Sequence, residues 1–162
     1  MPKRKHTAFE KAFVILLVIV YLLPIECSTA AASVSSPIWT HLVCQFFHAN
    51  IFHLIANLCV LWSMQYSWME LCIAYILSIP ATFITLQPVI GVSSVIYVLL
   101  ASHMIISKLS WKIWVIFSVM NAITAFIPSI AFTVHATSFS LGILYTTIKL
   151  FADDYRRACS RR

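Results

Sequence analysis

The chain has 162 residues, 61% of them apolar and 10% charged, with a formal net charge of +6 and a mean hydropathy of +0.92. A soluble domain carries about 45–50% apolar and about 25% charged residues, and a chain this short cannot enclose so much apolar surface. That excludes a soluble enzyme, a disordered chain and a disulfide-stapled secreted domain.

Charged residues fall at Lys3 to Lys11, at Glu26, Glu70, Lys108 and Lys112, and from Lys149 onward. Between them lie neutral stretches long enough for membrane helices, which need about 20 mainly apolar residues. The first predicted helix covers residues 9–25. A loop rich in serine and alanine follows, and a second helix is expected over 39–64. Residues 71–107 carry no charge and suit two helices, divided at Gln87-Pro88-Val89-Ile90-Gly91 by proline and glycine. Residues 113–148 suit two more, with the expected break at Pro128-Ser129. The expected architecture is all-α: one domain over 1–162, a bundle of six transmembrane helices with basic tails at 1–8 and 149–162. The five cysteines (Cys27, Cys44, Cys59, Cys72 and Cys159) are odd in number and lack C-x-x-C spacing. Most are expected to be small buried apolar residues.

All eleven Lys and Arg fall on one side if the N-terminus is inside, so both termini are expected in the cytoplasm of a cell whose inner membrane holds the chain. The basic start, short apolar run and S-T-A-A-A-S also fit a cleavable secretory signal; Glu10, Lys11 and Pro24 suit a retained first helix better. Basic residues confined to the ends and one short loop give no nucleic-acid surface. The expected partners are the bilayer, through an anionic-lipid contact of the basic tail, and other membrane proteins.

In so apolar a chain, polar residues at membrane depth imply function by default. They are His48, Asn50, His53 and Asn57 on the second helix, Ser93, Ser94, Tyr97 and His103 on the fourth, Asn121 on the fifth, and His135 with Ser138 on the sixth. His53 and Asn57 share a face, as do Ser93 and Tyr97. His135, Ser138 and Gly142 form one stripe. Aspartyl catalysis lacks its aspartates, since Asp153 and Asp154 stand in the tail, and H-E-x-x-H is absent. His48, His53 and Asn57 make a poor metal-ligand set, and no buried carboxylate serves a proton-coupled carrier. No cofactor or metal is expected. What remains is a serine nucleophile with a histidine base, a dyad without an orienting aspartate. The chain's only two glycines fit it. Gly91 permits a tight turn that leaves Ser93 at a helix N-terminus; Gly142 permits a close helix approach that would bring His135 to the serine.

These residues resemble the rhomboid intramembrane serine proteases. The chain has G-x-S followed four residues on by tyrosine (Gly91 to Tyr97), H-x4-H-x3-N (His48 to Asn57) and H-x6-G (His135 to Gly142), in the order expected on the second, fourth and sixth helices. The resemblance covers residues 9 to 150. It implies a serine endopeptidase that cuts transmembrane segments, with Ser93 as nucleophile and His135 as general base. It implies an oxyanion hole from His53, Asn57 and the Ser93 N–H, Tyr97 stacked beside His135, and His48 as a structural hydrogen-bonder under the first outer loop. Departures are Ser94 for the glycine after the serine, Ser138 for a glycine of the sixth helix, Ala101 for the glycine four after the tyrosine, and Cys44 for a further histidine. Trp39 has no arginine beside it. Singly, each residue has a plainer reading as helix packing or interhelical glue, and His103 and Asn121 are given that reading. The alternative function is an inert relative that binds or chaperones transmembrane helices.

Overall fold

A computed structural model describes residues 7–124 and 131–160. Among them the fold is all-helical: α1 (Ala8–Leu22), α2 (Cys27–Ala30), α3 (Ile38–Val43), α4 (Ile51–Ser63), α5 (Trp68–Thr82), α6 (Ser93–Ile106), α7 (Trp111–Thr124) and α8 (Phe132–Ser160), with a 3₁₀ turn at Cys44–Phe46 after α3. Capping boxes open two helices. Thr7 and Glu10 bond reciprocally at the start of α1, and Ser67 and Glu70 do so at α5, satisfying amide groups a helix start leaves free.

The division at 87–91 holds, since α5 ends at Thr82 and α6 begins at Ser93. The expected break at Pro128-Ser129 lies outside the described residues. The second expected helix is not continuous: α3 with its 3₁₀ turn and α4 meet at a 76° bend. The bend falls at residues 47–50, where Asn50, extended at its own φ and ψ, caps α4 by accepting from the His53 amide at 2.9 Å. His48 therefore sits in the bend and not on the helix that carries His53. The cysteine expectation is also corrected. Cys44 is buried and Cys27 half-buried, but Cys59, Cys72 and Cys159 are exposed, because they stand on outward helix faces.

α6 lies at the centre and buries seven side chains, among them Val95, Val98, Leu99 and Met104. It packs most extensively against α8, and both pack on α5. Leu17 of α1, Leu54 and Leu61 of α4 and Leu71 of α5 complete the main core around it. Gly142 sets the α6–α8 distance: a Cβ there would stand 2.6 Å from the Val98 carbonyl oxygen and 2.9 Å from the Ala101 Cβ. On the site side, the segment after α2 pairs with the segment before α6 through an isolated antiparallel bridge. Ala32 and Val89 exchange bonds of 3.0 and 2.9 Å, and the Val34 amide donates to the Thr85 carbonyl.

The outer surface is strongly apolar. Leu22, Ile38, Phe52, Leu86, Trp111 and Phe151 are each 70% or more exposed, far beyond the scattered apolar residues of a soluble surface. No single helix among the described residues is long and apolar enough to cross a membrane, and the bent pair α3–α4 is the one combination that passes by length and composition.

Candidate active site

The site forms where α6 starts. Gly91 has φ +114°, a conformation glycine adopts without penalty, and its amide donates to the Cys44 carbonyl at 2.9 Å. The turn places Ser93 at the first position of α6, with its amide among those lacking a helical acceptor. From the parallel neighbour α8, His135 meets it: Ser93 Oγ lies 2.9 Å from His135 Nε2, across 42 residues of sequence. A hydroxyl that donates to Nε2 leaves the ring proton on Nδ1. The Tyr97 ring, one turn above Ser93, stacks on the imidazole with centroids 4.3 Å apart and planes 6° from parallel. Phe117 of α7 packs behind Tyr97.

α4 supplies the other wall. A Cβ on Gly91 would stand 2.6 Å from His53 Cε1, 2.9 Å from His53 Nε2 and 3.6 Å from Asn57 Nδ2. Both side chains thus converge on the backbone leading into Ser93, and glycine is required there by contact as well as by φ. Asn57 is buried and its Nδ2 has no partner, so its two donor hydrogens remain free for a ligand. Ser93, His135, His53, Asn57, Tyr97, Gly91 and Ser94 line one cavity of about 780 Å³. None of the chain's five carboxylates lines it, so the histidine has no acidic orienter. The arrangement offers a hydroxyl already bonded to a neutral base, with amide and imidazole donors beside it. That is the equipment of nucleophilic acyl transfer.

Six of the eight sequence-predicted site residues line this cavity: Ser93, His135, His53, Asn57, Tyr97 and Gly91. Gly142 lies two turns beyond His135, at the α6–α8 contact. His48 is fully buried and meets His53 edge-on at 5.2 Å. It binds the first loop through its backbone, whose carbonyl accepts from the Cys27 thiol at 3.3 Å, while neither ring nitrogen has a partner. His103 is exposed, its Nε2 3.5 Å from Ser107 Oγ at the end of its own helix; the Asn121 side chain lies outside what is described.

Two residues of the site's floor escape the sequence reading. Thr82 lines the cavity, donates to the Ile79 carbonyl at 2.7 Å and so accepts from His41 Nδ1 at 2.8 Å. His41 is buried and stacks on Phe83 with centroids 3.7 Å apart. The signal for it is the recurrence of polar residues His41, Gln45 and His48 at helical spacing in an apolar stretch. Among the described residues no group of three or more histidine, cysteine or acidic side chains could hold a metal ion. Compared with models of known protein families and with curated proteins, the chain matches none of either.

Proposed function

We propose that the chain is an intramembrane serine endopeptidase of rhomboid type, a six-span helical bundle with both termini cytoplasmic that cleaves membrane-protein substrates within or near their transmembrane segments. The observation that carries this reading is the Ser93–His135 pair at 2.9 Å inside a cavity that His53 and Asn57 share. The apolar outer surface supports the membrane setting, because such a surface is stable against lipid and not against water. α1, α5 and α6 have 14–15 residues, about 21–23 Å of helix. A bilayer core of about 30 Å accommodates such short spans by thinning around them.

In this reading Ser93 Oγ attacks the scissile carbonyl carbon while its proton passes to His135 Nε2. The carbonyl oxygen becomes an oxyanion that accepts from Asn57 Nδ2, His53 Nε2 and the Ser93 amide. His135 then gives the proton to the leaving amine, the C–N bond breaks, and an acyl ester remains on Ser93. Water deprotonated by His135 attacks the ester, the bond to Ser93 Oγ breaks, and His135 returns the proton to that oxygen as the acid product leaves. Tyr97 holds the imidazole in plane through each step, and the polar cavity wall admits the water.

The deciding experiment is labelling of the purified protein in detergent with a serine-directed fluorophosphonate. The wild type should be labelled and Ser93→Ala should not. A folded, unlabelled wild type would favour the inert helix-binding relative, and undiminished labelling of Ser93→Ala would move the nucleophile, Ser94 being the nearest substitute.

A further inference from the structure

Two buried polar atoms of α8 lack a partner: His135 Nδ1 and Ser138 Oγ. They belong to residues three apart on one helix, where side chains are neighbours at about 5–6 Å between Cβ atoms. Ser138 is fully buried, and among the described residues it carries the only buried hydroxyl without a partner. Helical serines ordinarily return the hydroxyl to a carbonyl of the preceding turn. Ser78 does so to Tyr75 at 2.7 Å and Ser140 to Ala136 at 2.9 Å; Ser138, two residues before Ser140, does not. The Cα–Cβ bond of a helical residue tilts toward the N-terminus, which brings the Ser138 hydroxyl back toward the turn that holds His135.

The imidazole needs such a group. When the Ser93 hydroxyl donates to Nε2, 2.9 Å away, Nδ1 carries the ring proton, and a buried donor left unmatched is costly. The groups that face His135 are Ser93 and Tyr97 from α6 and His53 from α4. No carboxylate lines the cavity. We propose that Ser138 is a positioning residue for His135: its hydroxyl accepts the Nδ1 proton's hydrogen bond, directly after rotation about χ1 or through one water. It would fill the place a carboxylate fills in a triad, fixing the tautomer while remaining neutral. The inference rests on the protease reading and adds a residue to it.

Two measurements on the full chain in detergent test it. In ¹⁵N spectra of histidine-labelled protein, His135 should be the Nδ1–H tautomer, and its Nδ1 resonance should move in both Ser138→Ala and Ser138→Gly. The fluorophosphonate acylation rate, followed against pH, should fall about fivefold at its plateau in each variant. Its midpoint should move down by about half a pH unit, because the hydroxyl bonds the imidazolium more strongly than the neutral ring. A purely structural serine would lower thermal stability and leave tautomer and midpoint in place; that result in both variants overturns the proposal. Absence of acylation in the wild type at every pH would overturn the protease reading instead. The ¹⁵N spectra would still decide Ser138, with an unmoved Nδ1 resonance refuting the contact.

Discussion

The helix pair α6–α8 carries two side-chain hydrogen bonds, one on each side of Gly142, and they differ in everything but length. Toward the N-terminal ends, Ser93 Oγ meets His135 Nε2 at 2.9 Å; toward the C-terminal ends, Ser102 Oγ meets Thr146 Oγ1 at 2.7 Å. The same close approach at Gly142 serves both. The second pair borders a cavity of only about 20 Å³, joins two hydroxyls with no base between them, and can only hold helices together. The first opens on about 780 Å³, includes an imidazole nitrogen that can take a proton, and has donors from a third helix facing it. An interhelical hydrogen bond becomes candidate chemistry when space, a base and unspent donors meet at it.

That contrast is sharpest when each pair is cut. His135→Ala should reduce Ser93 acylation by on the order of 10⁴-fold or more, and adding Ser93→Ala should make it no worse, because nucleophile and base act as a unit. Acylation rates of the single variants and a residual-activity assay of the double variant measure this; additive losses would mean that the two residues work separately. Asn57→Ala comes next. Removing one oxyanion donor costs about 10²–10³ in turnover, while the Ser93 amide and His53 remain. Since Asn57 Nδ2 has no protein partner to lose, the thermal midpoint should stay close to wild type. Turnover of a cleavable transmembrane substrate, beside a melting curve, separates the cases: full activity would remove Asn57 from the site, and unfolding would make it a packing residue.

How much of this was legible depended on whether a feature is carried by one residue type or by a three-dimensional accident. The two glycines were legible because their scarcity in an apolar chain makes each position informative, and both turn out to be contact points, Gly91 under His53 and Gly142 against Val98. The division before α6 was legible through Pro88 and Gly91. The bend between α3 and α4 was not. Phe47, His48, Ala49 and Asn50 include no glycine or proline, and Asn50 reveals itself as a helix cap only once its side chain is seen accepting from the His53 amide. The end of α8 was also missed. The charged residues after Ile148 suggested a tail, yet the helix runs to Ser160, with Asp154 and Arg157 paired at 2.8 Å on its surface. Charge marks the limit of an apolar span but not the limit of a helix. The exposed cysteines follow the same logic, since composition cannot tell an inward from an outward face.

The smallest expected effect belongs to the other end of α6–α8, and it tests whether the two ends are independent. Ser102→Ala leaves the Thr146 hydroxyl, which is buried, without its partner. Leaving a buried hydroxyl unmatched costs about 1–3 kcal/mol in water-soluble proteins, whereas interhelical bonds in membranes average about 0.6 kcal/mol because the unfolded chain also finds partners there. The expected loss therefore lies near the lower figure, read as a small drop in the denaturant midpoint. Replacing Thr146 by valine in the same protein removes the orphan with nearly the same shape, and the double variant should recover most of the loss. Throughout, Ser93 acylation should stay within about twofold of wild type, because about 0.6 kcal/mol placed entirely on the barrier would change a rate by only about threefold. Acylation that falls in step with stability, and returns in the double variant, would show that the register of α8 on α6 is set as a whole and that the distance between Ser93 and His135 depends on a bond one turn past Gly142 and its neighbour Val98.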